Sequence, residues 1–244
     1  MGMAGLCQDI IDWLREQVAS SNGRGVIFGL SGGLDSAVVA VLCKKAFPNN
    51  SLGVIMPCYS EKLDQEHGEL VAKKIGLSFK VVVLDRVFDA MLLALEDKKE
   101  DGAKVGLIAA NLKPRLRMTA LYYYAAQNSY RVVGTGNKSE THIGYFTKFG
   151  DAAVDFEPLG DLLKEEVREM AVYLDVPREI IEKKPSAGLW AGQTDEGELG
   201  FTYNDLDGYL KGEKVDSAIG QKIEAMQRAS EHKWRMPPMF TRKI

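Results

Sequence analysis

The segment Ser31-Gly32-Gly33-Leu34-Asp35-Ser36 joins the apolar run 25–30 to a second apolar run, 37–42. Read as a buried strand, a glycine turn and a helix, it leaves backbone N–H groups without intrahelical partners at the end of a strand, where phosphates bind. Gly32 and Gly33 let that backbone approach an anion with no Cβ in the way, and Ser31 and Ser36 add hydroxyl donors. Asp35 is the odd member. A carboxylate in an anion cradle is unfavourable unless a cation lies between it and the phosphates, so Asp35 is a candidate Mg2+ ligand; it also reads as a helix-capping Asp. No Gly-Lys-Ser/Thr follows the turn and no GxGxxG is present, which sets aside the ordinary P-loop and the dinucleotide fingerprint.

A second polar patch, Gly134-Thr135-Gly136-Asn137-Lys138-Ser139-Glu140, directly follows the apolar stretch 130–134. If that stretch is a strand beside the first, the two loops share one sheet edge and close on one nucleotide. Glu140 then supplies a second carboxylate to Mg2+, which takes oxygen ligands and bridges phosphates to protein; the plainer reading is a solvated Glu at a helix start.

The surrounding pattern supplies such an edge. Leu6, Ile10, Ile11, Leu14 and Val18 repeat at helical spacing, residues 52–56 and 79–84 read as further strands, and 63–75 and 107–127 read as helices. Alternation of helices with near-continuous apolar strands predicts an α/β fold: a doubly wound parallel sheet flanked by helices, with ligands at the carboxyl ends of the strands. The run 96–101 (Glu-Asp-Lys-Lys-Glu-Asp) reads as a solvated connection. Glycines 188, 192, 197 and 200 mark 185–200 as a lid.

With 244 residues, 45% of them hydrophobic, one domain is the expectation. A net charge of −3 gives no whole-chain reason to bind nucleic acid or anionic membrane. Cys7, Cys43 and Cys58 form no CxxC pair, and their odd number argues against a disulfide framework and for a reducing cytoplasm. Asp9, Asp12, Arg15 and Glu16 exclude a signal peptide at the N-terminus.

The SGGxDS turn resembles the signature of the N-type ATP pyrophosphatases, which split ATP between its α- and β-phosphates to adenylate a substrate. Four further segments make the likeness specific: 111–118 (Asn-Leu-Lys-Pro-Arg-Leu-Arg-Met), 134–140, 144–151 with Asp155, and 185–190 (Pro-Ser-Ala-Gly-Leu-Trp). In this order they are similar to the ammonia-dependent NAD synthetase family. The resemblance implies an adenine nucleotide alpha hydrolase-like, Rossmann-like fold and ATP-dependent amidation of nicotinate adenine dinucleotide (deamido-NAD) by ammonia. It implies that Gly29, Leu30, Ser31, Gly32, Gly33, Leu34, Asp35 and Ser36 hold ATP together with Thr135, Lys164 and Ser186. Asp35 and Glu140 would hold Mg2+, Arg115, Lys148, Asp155, His232 and Lys233 the acid dinucleotide, and Asp151 the ammonium or its proton. Ser186 stands where many relatives have Thr, which keeps a hydroxyl. Met56 to Ser60 should border adenine.

Each residue has a plainer reading as well: Arg115 with Arg117 as a solvated face, Lys164 with Glu165 and Glu166 as a salt-bridged helix, His232-Lys233 as a helix end, and Asp151 as a turn residue. The resemblance further implies a homodimer, to which the helix with Leu121, Tyr122, Tyr123 and Tyr124 would contribute. Glutamine-using relatives carry an amidase domain with a nucleophilic Cys; this sequence has no room for one, and Cys7 lies on an apolar-periodic helix. Free ammonia is the expected nitrogen source. The alternatives are another SGGxDS adenylating ligase, GMP-synthetase-like or tRNA-modifying, and a non-catalytic adenine-nucleotide-binding protein.

Overall fold

A computed structural model describes residues 2–96, 106–190 and 192–242. In chain order its elements are α1 (Met3–Ser20), β1 (Gly25–Gly29), α2 (Leu34–Ala46), β2 (Ser51–Ile55), α3 (Lys62–Lys74), β3 (Ser78–Val81), α4 (Asp85–Glu96), α5 (Leu107–Ala110), α6 (Leu112–Asn128), β4 (Tyr130–Val132), α7 (Lys138–Ile143), α8 (Lys164–Tyr173), α9 (Arg178–Ile181), α10 (Asp195–Leu199), α11 (Tyr203–Leu210) and α12 (Ser217–Ser230). The four strands are parallel in the order β3-β2-β1-β4, with Ile27 of β1 in register with Leu52 on one side and Val132 on the other. A parallel bridge between Val133 and Phe156 continues the pairing beyond β4.

Alternation along β1 sends side chains to both faces. Val26 and Phe28 join one core with Leu14 of α1, Val38 and Leu42 of α2, and Val167 and Met170 of α8. Ile27, Val54 and Val132 join the opposite core with Phe88 and Leu92 of α4 and Leu121 and Ala125 of α6. Both faces are therefore covered, as a continuously apolar parallel strand requires. The run 96–101 reaches the described residues only at Glu96, the last residue of α4; positions 97–101 lie outside them. Among the described residues no helix is long and apolar enough to cross a membrane.

Two elements differ from the sequence expectation. The strand expected over 79–84 is the short edge strand β3, whose residues are exposed or half-buried; beyond it Val82 N–H donates to Ile55 O and Leu84 N–H to Pro57 O, both at 2.8 Å. The long helix expected over 107–127 is broken at Asn111 into α5 and α6. Pro114 explains the break, since it lacks an N–H and its ring opposes the carbonyl four residues earlier. Asn111 Oδ1 accepts a hydrogen bond from Thr147 Oγ1 at 2.9 Å, which anchors the 144–151 loop to the start of α6.

The loop after β4 rests on Glu157. Its carboxylate accepts Gly136 N–H at 3.1 Å, and a Cβ at position 134 would come within 2.4 Å of it, so a larger residue there would displace the Glu157 carboxylate. Burial pushes the Glu157 carboxyl up, the Gly136 N–H draws it back, and Asp151 and Glu140 push it further, to about 8. The folded state therefore binds a proton more tightly than the unfolded chain, and this residue's contribution to stability falls as pH rises from about 4.5 to about 8. Glu157→Gln keeps the acceptor without the charge. It is expected to raise the melting temperature at pH 8.5 and leave it unchanged at pH 4, as measured by thermal denaturation at the two pH values.

Candidate active site

The phosphate turn has the shape its residues predict. Gly32 sits at φ +75°, and a Cβ there would lie 2.2 Å from the Asp64 carbonyl, so the turn closes against α3 only with glycine. Ser36 Oγ donates to Gly33 O at 3.0 Å and accepts Ser31 N–H at 3.3 Å, while the two serine hydroxyls are 3.0 Å apart. Gly33 is the N-cap of α2 and receives no side-chain cap. Asp35 does not cap the helix: its Oδ1 accepts from Asn137 Nδ2 at 2.9 Å and its Oδ2 from Lys164 Nζ at 2.6 Å.

Lys164 Nζ also lies 2.9 Å from Glu140 Oε1, and its side chain is 5% exposed. The buried Lys164 and the half-buried Asp35 and Glu140 thus form one cluster from three helix starts, α2, α7 and α8. The plainer reading of Lys164, a salt bridge with Glu165 and Glu166, does not describe it. Its backbone is fixed by substitutes for a missing cap, because Leu163 at the N-cap of α8 has no polar side chain. Lys164 N–H donates to Ser139 Oγ at 3.0 Å, Glu165 N–H donates to Asp207 Oδ2 at 2.9 Å, and Ser139 Oγ donates to Asp207 Oδ1 at 2.5 Å. Asn137, the N-cap of α7, accepts Glu140 N–H at 3.0 Å.

Electrostatics within the cluster are unbalanced. Burial pushes the Glu140 carboxyl up, Lys164 draws it back and Asp35 pushes it again, to about 7. For Lys164, burial opposes the charged form, but the two carboxylates outweigh it and hold its pKa above the ordinary value. Two carboxylates facing one ammonium leave negative charge in excess. That donor set fits a hard divalent cation of the Mg2+ type, which uses one or two protein carboxylates and completes its shell with water and phosphate oxygens. Among the described residues no three His, Cys, Asp or Glu side chains come together as a metal cage.

A cavity of about 480 Å³ opens beside this cluster. Gly29, Leu30, Ser31, Gly33, Leu34, Asp35, Ser36, Thr135, Glu140, Asp151, Lys164, Ser186 and Lys233 all line it. Gly32 supports the turn from behind. Asp151 accepts Thr147 N–H at 2.9 Å, and the enclosing cavity wall raises its carboxyl pKa. Lys233 Nζ donates to Gly144 O and Phe146 O at 2.7 and 2.9 Å, tying the chain after α12 to the same loop.

Arg115, Lys148, Asp155 and His232 lie outside the cavity lining. Three of them are linked on its rim: Arg115 Nη2 donates to Lys148 O at 3.2 Å, and Lys148 Nζ donates to His232 O at 2.6 Å. Asp155 is separate from that chain. Its Oδ2 accepts Val132 N–H at 2.7 Å and its Oδ1 lies 3.4 Å from the Tyr122 hydroxyl.

Three further residues in or beside the lining were given no role by the sequence. Arg117 is not a solvated partner of Arg115; it reaches into the cavity wall, where Nε donates to Met56 O and Nη2 to Ser60 Oγ, both at 3.1 Å. Lys183 reaches Asp64 Oδ1 at 2.6 Å beside the phosphate turn, and the pair Lys183-Lys184 before Pro185 was the available hint. The fully buried Lys113 donates to Leu189 O at 2.7 Å and so holds the 185–190 segment from below.

The turn geometry gives a direct test. Gly32→Ala introduces both left-handed strain and the Asp64 clash, whereas Gly76→Ala, at φ +62° in open space, introduces strain alone. Urea unfolding should show a loss of about 1 kcal/mol for the second and at least about 2 kcal/mol more for the first. Only Gly32→Ala should abolish ATP binding.

Comparison with known proteins gives the family. The NAD synthase family model matches residues 6–237. A protein of Carboxydothermus hydrogenoformans named NH(3)-dependent NAD(+) synthetase is 51% identical over 231 residues, 94% of each chain. Among solved structures, NMN synthetase from Francisella tularensis superposes with a TM-score of 0.92 at 34% identity, covering 98% of both chains. NH3-dependent NAD synthetase from Campylobacter jejuni gives 0.82 at 28% identity, covering 99% of this chain and all of that one. By its sequence and its fold, this chain belongs to the NAD synthase family.

Proposed function

We propose that the chain is an ammonia-dependent NAD synthetase, a ligase that converts deamido-NAD to NAD with ATP. The observation that carries this reading is the Asp35–Glu140–Lys164 cluster at the phosphate turn, opening into the same cavity as Asp151 and the 144–151 loop. A carboxylate resists amination because oxide is a poor leaving group. The nicotinate carboxylate therefore attacks the α-phosphorus of ATP, forming an acyl adenylate and releasing pyrophosphate. Ammonia attacks the acyl carbon, the C–N bond forms, the C–O bond breaks to release AMP, and a proton is lost.

In this reading the turn from Gly29 to Ser36, with Thr135, Lys164 and Ser186, aligns ATP. Mg2+ on Asp35 and Glu140 would neutralise phosphate charge as the pyrophosphate leaves. Lys164 adds a fixed positive charge, and backbone N–H groups at the start of α2 add oriented dipoles. Asp151 holds ammonium or takes its proton. Arg115, Lys148, Asp155, His232 and Lys233 receive the dinucleotide along the rim and the cavity mouth. Arg and Lys suit its pyrophosphate, and Asp suits ribose hydroxyls.

Free ammonia is the proposed nitrogen source, because no cysteine has the environment of a nucleophile. All three are buried, and burial pushes each thiol above its ordinary pKa. Three unpaired thiols also suit a reducing cytoplasm. The proposed assembly is a homodimer. Val87, Met91 and Leu95 form an exposed i, i+4, i+8 stripe on α4, and Tyr123 on the adjoining α6 is exposed next to Tyr122. A second copy covering that surface would complete the open rim around Tyr122 and Asp155. A second acid substrate is favoured by one observation: the neighbour at TM-score 0.92 is named NMN synthetase, so nicotinate mononucleotide belongs in the same assay.

Purified protein with ATP, MgCl2 and ammonium chloride is expected to make NAD from deamido-NAD, with pyrophosphate and AMP in equal amounts. Glutamine free of ammonia should support almost none. Asp35→Asn and Glu140→Gln should each lower the rate by on the order of 100-fold or more while the circular dichroism spectrum is retained. Faster amidation of nicotinate mononucleotide would reassign the acid, and nucleotide binding without pyrophosphate release would favour a binding protein. Light scattering should give a dimer mass, and Val87→Glu with Met91→Glu a monomer; a monomeric parent chain contradicts the assembly.

A further inference from the structure

We infer that Tyr203 is a positioning residue that ties the Glu140 carboxylate to the 185–190 loop, so that engagement of Glu140 and seating of that loop occur together. The inference rests on the reading of Glu140 as part of the nucleotide site. Tyr203 is the first residue of α11 and is 5% exposed. Its helix start is fixed by a reciprocal cap: Asp205 N–H donates to Thr202 Oγ1 at 3.1 Å, and Thr202 N–H to Asp205 Oδ2 at 2.9 Å. Its ring lies 4.9 Å from Lys164 Nζ, and its hydroxyl is 3.0 Å from Asp195 Oδ2 and 3.3 Å from Glu140 Oε1.

A hydroxyl has one proton, so it serves one of these two carboxylates at a time. Asp195 is buried and belongs to the loop's support: its backbone N–H donates to Pro185 O at 3.0 Å, and its Oδ1 accepts from the Tyr145 hydroxyl at 3.2 Å. The Tyr145 hydroxyl also lies 2.9 Å from Glu198 Oε2, which accepts from Gln193 Nε2 at 2.8 Å. Gln193 Oε1 in turn accepts Leu189 N–H at 2.8 Å. An unbroken chain of polar contacts thus runs from Glu140 to the backbone of the loop that carries Ser186. A cation held by Glu140 would make that carboxylate a poorer acceptor, leaving the Tyr203 proton wholly to Asp195, its nearer partner at 3.0 Å, and firming the support under Pro185 and Leu189.

Tyr203→Phe removes the hydroxyl and keeps the ring over Lys164. Hydrogen–deuterium exchange over residues 183–199, with and without ATP and MgCl2, reads the coupling directly. In the parent chain ATP with MgCl2 is expected to protect this segment. In Tyr203→Phe at least half of that protection is lost, KM for ATP rises about 10-fold, KM for deamido-NAD stays within about twofold, and the melting temperature is nearly unchanged. Tyr209→Phe removes a hydroxyl from the same helix, where it faces Glu224, and should behave as the parent. Equal protection in the parent and Tyr203→Phe overturns the inference while the nucleotide site stands; a parent that does not bind ATP with MgCl2 by calorimetry overturns both. Should Tyr203→Phe not fold, Asp195→Asn cuts the chain one link further on and must show the same loss.

Discussion

A lysine ammonium held between two carboxylates at the carboxyl edge of a parallel sheet is the interaction on which the rest of the site depends. Lys164 is the first residue of α8, where the helix dipole disfavours a cation by roughly 0.3–1 kcal/mol. Asp35 and Glu140 sit in the first turns of α2 and α7, where the same dipole favours them. The acids at 2.6 and 2.9 Å more than offset the unfavourable placement of the lysine. Removal of one partner from a buried pair costs about 3–5 kcal/mol because a desolvated charge is left behind, so the cluster is worth holding rigidly. Ser139, Asn137 and Asp207 do that holding.

The cluster also explains the division of the site into a cavity and a rim. Asp35, Glu140 and Lys164 are enclosed beside the cavity, where the two acids outnumber the one ammonium. Arg115, Lys148 and His232 are joined on the exposed side through backbone carbonyls, and among the described residues neither Arg115 nor Lys148 has a carboxylate within salt-bridge distance. Lys233 belongs to both regions, because its ammonium fastens the 144–151 loop that separates them.

Much of this was legible in the sequence because the relevant signals are local. A glycine turn between an apolar strand and an apolar helix fixes β1, the turn and α2 together, and the second carboxylate follows β4 by the same logic. Lys164 was legible only through family resemblance; its own neighbours, Glu165 and Glu166, suggest a surface helix. The break at Asn111 was not foreseen in the expected 107–127 helix, although its cause, Pro114, is local. The exposure of β3 is not, since Phe79 to Leu84 is apolar enough for a central strand and only the sheet order makes it an edge. Asp195, Tyr203 and Tyr145 escaped for a related reason: they are scattered over some sixty residues and become a network only when α10 and α11 fold against α7. Arg117 lies one helical half-turn from Arg115, and no periodicity distinguishes the one that enters the cavity wall from the one that stays outside.

We propose that Asp35, Glu140 and Lys164 form the seat of the triphosphate and its cation. Anomalous diffraction from crystals grown with ATP and MnCl2, with manganese standing in for magnesium, decides the matter. The expected result is one manganese peak about 2.1–2.2 Å from an oxygen of Asp35 and an oxygen of Glu140, bridging to ATP oxygens, with Lys164 Nζ turned onto a phosphate. A manganese peak elsewhere, with Lys164 still between the two carboxylates and ATP bound, would contradict it.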